Sequence, residues 1–520
     1  MKKYYKPCMA LILVFIMVMV AACGPAGGGG GQTPGAAQPP GGQEAGAQTR
    51  ETLMIAISSE PTSLDPYAHS LINGFLPSSL IYDTLIVPDG HGGFAGALAT
   101  DWRFESPTQI VFELRQGVVF HNGNPFSAYD VKETLIVART STFSNTLFAN
   151  VDIDNINVLD RYTIEVNLTY PFAPLLDVLA SYRAGIIDSV SYLEDPAAFG
   201  RNPVGTGPMM LSNWVSGDRI ELVENPNYWG EPLGFAACTF RVILEATSRT
   251  IELETGGIHI AGDVAFSDWN RIENDPNLQL VRGQVNSMTT LVFNNSHELF
   301  GNYLIRRALS YGINREALVR TVWEGTADVA TSFYAAHMLG HQEQGPFVHD
   351  PDRARELLAE AGFPDGFAFT FTTFETALNR AFSEVLQNMW ANIGITMSID
   401  IVDVATFTQM NNAGELTVAL MTPNIAISDP AIALILYPIT RTISLRHGNQ
   451  HIQDLLDKGA MTYDTEARIA IYQELQQFLF ERLYTIPMAY PTAAFGLRGN
   501  VEGFTFDPSQ VPNFRTVIIN

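Results

Sequence analysis

Two histidine pairs are the residues whose spacing most invites chemistry. His337/His341 and His447/His451 both stand at i, i+4. That separation puts two imidazoles on one face of a helix, where they can share a metal ion. Glu343 and His349 lie close to the first pair as further ligands. Gly340 and Gly448 fall inside the two windows, however, and glycine weakens the helix that this geometry requires. Spacing fixes no third ligand, so ordinary loop histidines are the competing reading and no metal site is assigned. Other routes to catalysis are closed sooner. The chain has no G-x-S-x-G elbow, no H-E-x-x-H, no P-loop and no C-x-x-C. Its 54 Asp and Glu give so many chance acidic pairs that none stands out as an acid/base couple. Nothing calls for a cofactor. Cys8 and Cys23 belong to the N-terminal region, which leaves Cys238 alone in the body of the chain and allows no disulfide framework there. Cys238 sits in the strand-like stretch Cys238–Val242, where a buried, inert thiol is expected.

The charge balance narrows the partners. Lys+Arg minus Asp+Glu is 30 − 54 = −24, and without Lys2, Lys3 and Lys6 the remainder carries 27 − 54 = −27. Such a surface repels phosphate backbones and anionic headgroups, so nucleic acid is excluded and membrane attachment needs another device. The N-terminus offers one. Lys2, Lys3 and Lys6 precede fifteen unbroken apolar residues, Cys8 to Ala22, fewer than the roughly 20 that a membrane span needs. Val20-Ala21-Ala22-Cys23-Gly24 resembles the lipobox of bacterial lipoproteins. The resemblance implies that residues 1–22 are a signal peptide and that Cys23 is lipidated. Gly24 to Gln48 then holds ten Gly and four Pro in 25 positions, with Glu44 as its one charge. Such a composition behaves as a flexible tether over residues 23–50. The expected product is a monomer held by a lipid anchor on the extracytoplasmic face of the cell membrane.

The elements that must position any site alternate irregularly between strand and helix. At 520 residues and 46% hydrophobic, the chain has material for about three domain-sized units. Period-two patterning predicts strands over Thr52–Ile57, Gln109–Arg115 and Tyr162–Leu168, and further strands over Thr289–Asn294, Phe367–Phe374, Thr396–Val402 and Leu416–Met421. Ser127 to Asp130 reads as a capping signal for a helix through Val137, and Asp350-Pro351 starts one that runs to Ala361. Asn379–Asn392 carries an apolar stripe, and Thr465 is expected to cap a helix with the stripe Ile469, Tyr472, Leu475, Phe478 and Leu479. This mixture argues for α/β with more than one sheet.

Seven strings then appear in a recognisable order. They are Ser59-Glu60-Pro61-Thr62-Ser63-Leu64-Asp65-Pro66, Ile81-Tyr82-Asp83-Thr84-Leu85, and Leu114 through Phe126 with His121-Asn122-Gly123 inside it. Pro203-Val204-Gly205-Thr206-Gly207-Pro208, Asn225-Pro226-Asn227-Tyr228-Trp229-Gly230, Arg307 to Leu318 and Ala354 to Gly362 follow. Together they resemble the family 5 extracellular solute-binding proteins of ABC importers, a group that includes oligopeptide, dipeptide and nickel-complex binders. The resemblance spans about residue 52 to 506. Locally most of these strings read as turns and close packing rather than ligand contacts.

The resemblance implies an α/β, two-lobed periplasmic-binding-protein-like clamp with an extra subdomain inserted in lobe one. Lobe one would take residues 51–283 plus 488–520, with the insert at about 93–192, and lobe two residues 284–487. A small solute, with a peptide favoured, would be captured between the lobes and passed to an ABC permease, with no bond made or broken. The alternative is the same role for a non-peptide solute such as a metal chelate or a sugar, and a surface metal-dependent hydrolase is the more remote rival. By analogy with the family the ligand contacts are Ser58, Ser59 and Glu60 after the first strand, Asn294 and Asn295 after the strand ending Val292-Phe293, and Asn424, Ser428 and Asp429 in the later loop. One departure bears on the ligand. Peptide-binding members commonly hold the α-ammonium with an aspartate three residues before an acidic-Pro pair. Here the pair is Asp429-Pro430 and Ala426 stands at that position. Ordinary peptides are therefore expected to bind weakly unless Asp429 or Glu60 substitutes.

Overall fold

In the computed structural model the described residues are 50–422, 427–432 and 449–520. Cys23, the apolar run, most of the tether, Asn424, Ala426 and His447 lie outside them. The first strand forms where the alternation placed it, Thr52–Ile57, and runs parallel to Ala237–Val242 and to Ile260–Ala261. Leu53, Ile55 and Ile57 are buried, as an inner strand of a covered sheet requires. Cys238 is in register with Leu53 and fully buried, and burial pushes its thiol well above the ordinary range. The sheet continues antiparallel through Arg219–Glu224 to Met209–Val215.

One long strand, Thr485–Arg498, joins this sheet to the next. Its second half pairs with Leu278–Gln284, from Gln284 opposite Thr492 to Leu278 opposite Arg498, and with Ile260–Ala261. Its first half pairs with Thr289–Phe293 and Ala327–Val329, and Val418–Met421 extends that side. The chain thus passes between the two halves twice, at residues 284–289 and inside this strand. A separate antiparallel sheet is ordered Ala99–Ser106, Gln109–Leu114, Thr163–Leu168, Val151–Asp160. Beyond the crossing, Ala368–Phe374 and Thr396–Val402 form a parallel ribbon connected by the helix Ala377–Ala391. Trp390 of that helix is fully buried and its indole N–H donates to Leu309 O at 3.0 Å, so the aromatic stripe is core.

Most helix signals act as expected. The Asp130 carboxylate accepts from Ser127 N–H at 2.9 Å and the helix Ala128–Thr140 runs three residues past Val137. Asp350 caps Pro351–Glu360 by accepting from Arg353 N–H at 2.9 Å. The cap of Thr465–Arg482 is corrected by one residue. Asp464, not Thr465, accepts from Ala467 N–H at 2.8 Å, because a carboxylate outside the first turn reaches the free amides that a hydroxyl inside it does not. The buried face of that helix also includes Arg468 and Gln476, two polar residues that an apolar stripe does not announce. The Gly205-Thr206-Gly207-Pro208 string serves close packing. A Cβ on Gly205 would sit 2.1 Å from the Ile81 carbonyl oxygen, and one on Gly207 2.5 Å from that of Leu80.

Candidate functional site

A cavity of about 750 Å³ opens where the parts of the chain meet. That volume lies within the range of small-molecule sites. Tyr82 and Asp83 come from the end of the helix Ile72–Ile81, and Asp177 and Tyr182 from the short helix Leu175–Ala180 and the turn after it. Asn286 enters from the crossing, Ser428 from beyond it, and Asp507 and Arg515 from the C-terminal segment. Tyr82, Phe94, Tyr182, Trp229 and Phe506 give the wall an aromatic lining.

The crossing is pinned at Asn286. Its backbone N–H donates to Pro508 O at 2.6 Å, and its Oδ1 accepts from Ser428 Oγ at 3.0 Å and from His337 Nε2. One side chain therefore ties the crossing to two segments beyond it, while its amide ties it to the C-terminal segment. On the opposite wall Asp83 is nearly sealed from solvent. It accepts from Arg515 Nη1 at 2.7 Å, Trp229 Nε1 at 2.8 Å and Thr206 Oγ1 at 2.9 Å. Asp507 accepts from Ser509 N–H at 2.7 Å and from the Ser509 hydroxyl, and burial still raises its carboxyl above the usual range. Asp177 differs from both. Its carboxyl is pushed up to about 6, by burial first and by the Asp429 charge second, while Arg468 acts in the opposite sense.

The structure gathers few of the residues nominated from sequence. Ser428 lines the cavity. Asp429 is adjacent to it but turned inward, where it forms an ion pair with Arg468 and accepts from Ala431 N–H at 2.9 Å and Tyr472 Oη at 3.3 Å. Ser58 Oγ donates to Asp263 at 2.6 Å, and Asn73 Nδ2 donates to Ser58 and Ser59. Glu60 accepts from Trp214 Nε1 and from Gly217 N–H, both at 2.9 Å. These three residues stabilise the turn after the first strand. The depression beside Ser58 holds about 20 Å³, room for roughly one water. Asn294 is also drawn away. Its side-chain amide donates to Gly414 O and Leu416 O, at the end of Thr289–Phe293 remote from the crossing, and Asn295 follows it there. Neither lines the cavity.

The first histidine pair does not lie on a helix. Residues 331–341 form no helix or strand, His337 is committed to Asn286, and His341 Nδ1 meets Tyr334 O at 3.1 Å. His451 is the second residue of the helix Gln450–Met461, with Glu474 at 3.9 Å. The residues missed from sequence are Tyr82, Asp83 and Trp229. All three sit inside strings that read as turns, so the signal was present but assigned to punctuation. Asp177 and Asn286 carry no motif at all.

Comparison with known proteins decides the family. The profile of the bacterial extracellular solute-binding proteins, family 5 Middle, matches residues 93–440. The chain belongs to family 5 of the bacterial extracellular solute-binding proteins. A glutathione-binding protein GsiB of Salmonella paratyphi A is 27% identical over 482 residues, covering 89% of this chain and 93% of its own. The Helicobacter pylori periplasmic binding protein DppA, solved with the peptide STSA, superposes with a TM-score of 0.78 at 25% identity, over 90% of this chain and 98% of its own. NikA from Brucella suis, solved with Fe(III)-EDTA, reaches a TM-score of 0.81 at 21% identity, over 90% of this chain and 100% of its own, and speaks for the two-lobed fold alone. The role of this family 5 protein is capture of a small solute outside the cytoplasm and delivery to an ABC importer. Among the described residues no helix is long and apolar enough to cross a membrane.

Proposed function

We propose that the 750 Å³ cavity is the solute site and that the two halves of the molecule close over it. The observation that carries this reading is the composition of the wall: Asp83, Asp177, Asn286 and Ser428 reach one space from four separate parts of the chain. A solute in that space touches both sides of the crossing and therefore favours the closed arrangement over an open one. Peptides are the favoured class, as in the DppA relative solved with a peptide, and a non-peptide solute is the alternative. The clamp performs no turnover. Of the residues nominated from sequence, Ser428 is retained as a contact, and Tyr82, Trp229, Asn286 and Asp177 are added.

Cys23 is the lipid attachment point in this reading, with residues 1–22 removed and the monomeric clamp tethered outside the cell membrane. The variant Cys23→Ser is expected to be released from the membrane while it still binds solute. Acyl chains retained on that variant would refute the anchor. Calorimetry with mixed two- to five-residue peptides, followed by small-angle scattering of the saturated protein, tests the clamp itself. A tight complex with an unchanged radius of gyration would refute closure.

A further inference from the structure

The charges around the cavity do not balance. Among the described lining residues there are three carboxylates, Asp83, Asp177 and Asp507, against one cation, Arg515. Arg515 is already committed, donating to Asp83 and to the carbonyls of Ser79 and Tyr82 at 3.0 and 2.9 Å. Asp507 is held by Ser509. Asp177 has no cation within ion-pair distance among the described residues. The groups that act on it from across the lobe boundary are Asp429 and Arg468, which form a pair with each other, and Asp429 acts more strongly. The carboxylate is therefore left half-buried and uncompensated near neutral pH, a state that a cation relieves. Phe94, Tyr182 and Phe506 line the same cavity and aromatic ring faces attract cations, while the Trp229 ring is already covered by the Arg115 guanidinium, 4.4 Å from its centroid. Glu60 and Asp429, the two acidic groups that could have stood in for Ala426, are both engaged elsewhere.

We propose that the cavity selects solutes of net positive charge and that Asp177 receives their protonated amine. The proposal rests on the solute-capture reading above and narrows it. It separates this site from one built for zwitterions: a solute carboxylate finds Arg515 occupied and meets Asp177 and Asp507 instead.

The test is calorimetry on the purified chain with one set of two- to five-residue peptides in three forms: C-terminally amidated, unmodified, and N-acetylated. The amidated form should bind tightest. The N-acetylated form should bind roughly a hundredfold more weakly, because it leaves the carboxylate buried without a partner. Between pH 7 and pH 5 the amine stays protonated, while Asp177, at about 6, loses its charge. Affinity for the amidated form should therefore fall as pH drops through about 6. Among the described residues the other charged groups of the wall are Asp83, Asp507 and Arg515, and the buried Asp429–Arg468 pair acts on Asp177 from behind it. Asp177→Asn identifies the carrier: it should bring the three forms within a few-fold of each other and flatten the pH dependence. Its thermal midpoint at pH 7, expected at or above that of the parent, reports folding separately. N-acetylated peptides binding as tightly as amidated ones would overturn the proposal. So would a folded Asp177→Asn protein that still discriminates between the forms, or a failure of every peptide form to bind. The capture reading falls only if, in addition, chain purified from its own cells carries no solute in native mass spectrometry.

Discussion

Asp65 and Asp177 are both carboxyls that burial pushes up to about 6, but only Asp177, the half-buried one, faces the cavity. Asp65 is 3% exposed in the turn after the first strand and accepts from Tyr67 N–H at 2.8 Å. Its unfolded value is 3.8, so between about pH 4 and 6 the native state holds a proton that the unfolded chain releases. The stability from this group is fully present below pH 4 and is lost as pH rises through 6. The rise from 3.8 to about 6 makes that loss about 3 kcal/mol. Asparagine cannot ionise, yet its Oδ1 still accepts from Tyr67. Asp65→Asn should gain on the parent by up to about 3 kcal/mol between pH 4 and 7.5 in paired urea unfolding curves. A gap that stays constant with pH would refute the assignment. Arg515→Met acts in the other direction. It strands Asp83 in a nearly sealed site and should lower stability by about 3 to 5 kcal/mol in the same assay. Neither role was legible in the sequence. An aspartate in a turn string and an arginine near the C-terminus look the same whether they sit in water or 432 positions from their partner.

Secondary elements were far more readable, because periodicity reports a face directly. The strands Thr52–Ile57 and Thr396–Val402 and the helix Ala377–Ala391 appear within two residues of where alternation and stripe put them. What periodicity does not report is a polar side chain that belongs inside. Arg468 and Gln476 on Thr465–Arg482 are buried because Asp429 and the Ser332 hydroxyl meet them, and those partners lie far away in the chain. The cap of that helix gives a discriminating pair of variants. Asp464→Ala removes the acceptor for Ala467 N–H and should cost about 1 kcal/mol, whereas Thr465→Ala should be close to neutral. Equal effects would mean that the helix starts elsewhere. Gly205→Ala is the severe case at this scale. The new methyl must displace the Ile81 carbonyl and the Tyr82 ring, at a cost of about 3 kcal/mol, and it pushes on the cavity wall as it does so. The variant should lose both thermal stability and solute affinity.

At the scale of the molecule, the two-lobed architecture was legible only through the order of seven strings, since no local pattern says that Thr485–Arg498 is shared between sheets. Closure of the proposed clamp would concentrate motion in that shared strand and residues 284–289. Solute should slow amide exchange at Asn286 and Ser428, which face each other across the crossing, while leaving the core around Trp390 unchanged. Uniform protection throughout the chain would argue against a hinge. The Asp83–Arg515 contact also has a consequence for the birth of the protein. At about 5 to 20 residues per second, the 432 positions between them take roughly 20 to 90 s to synthesise. For that interval the first lobe has its opening strand but neither the shared strand that joins its sheet nor the guanidinium that neutralises the buried Asp83 carboxylate. The half made first is thus the half completed last, so the first lobe waits for the end of the chain before its sheet and its buried ion pair can close.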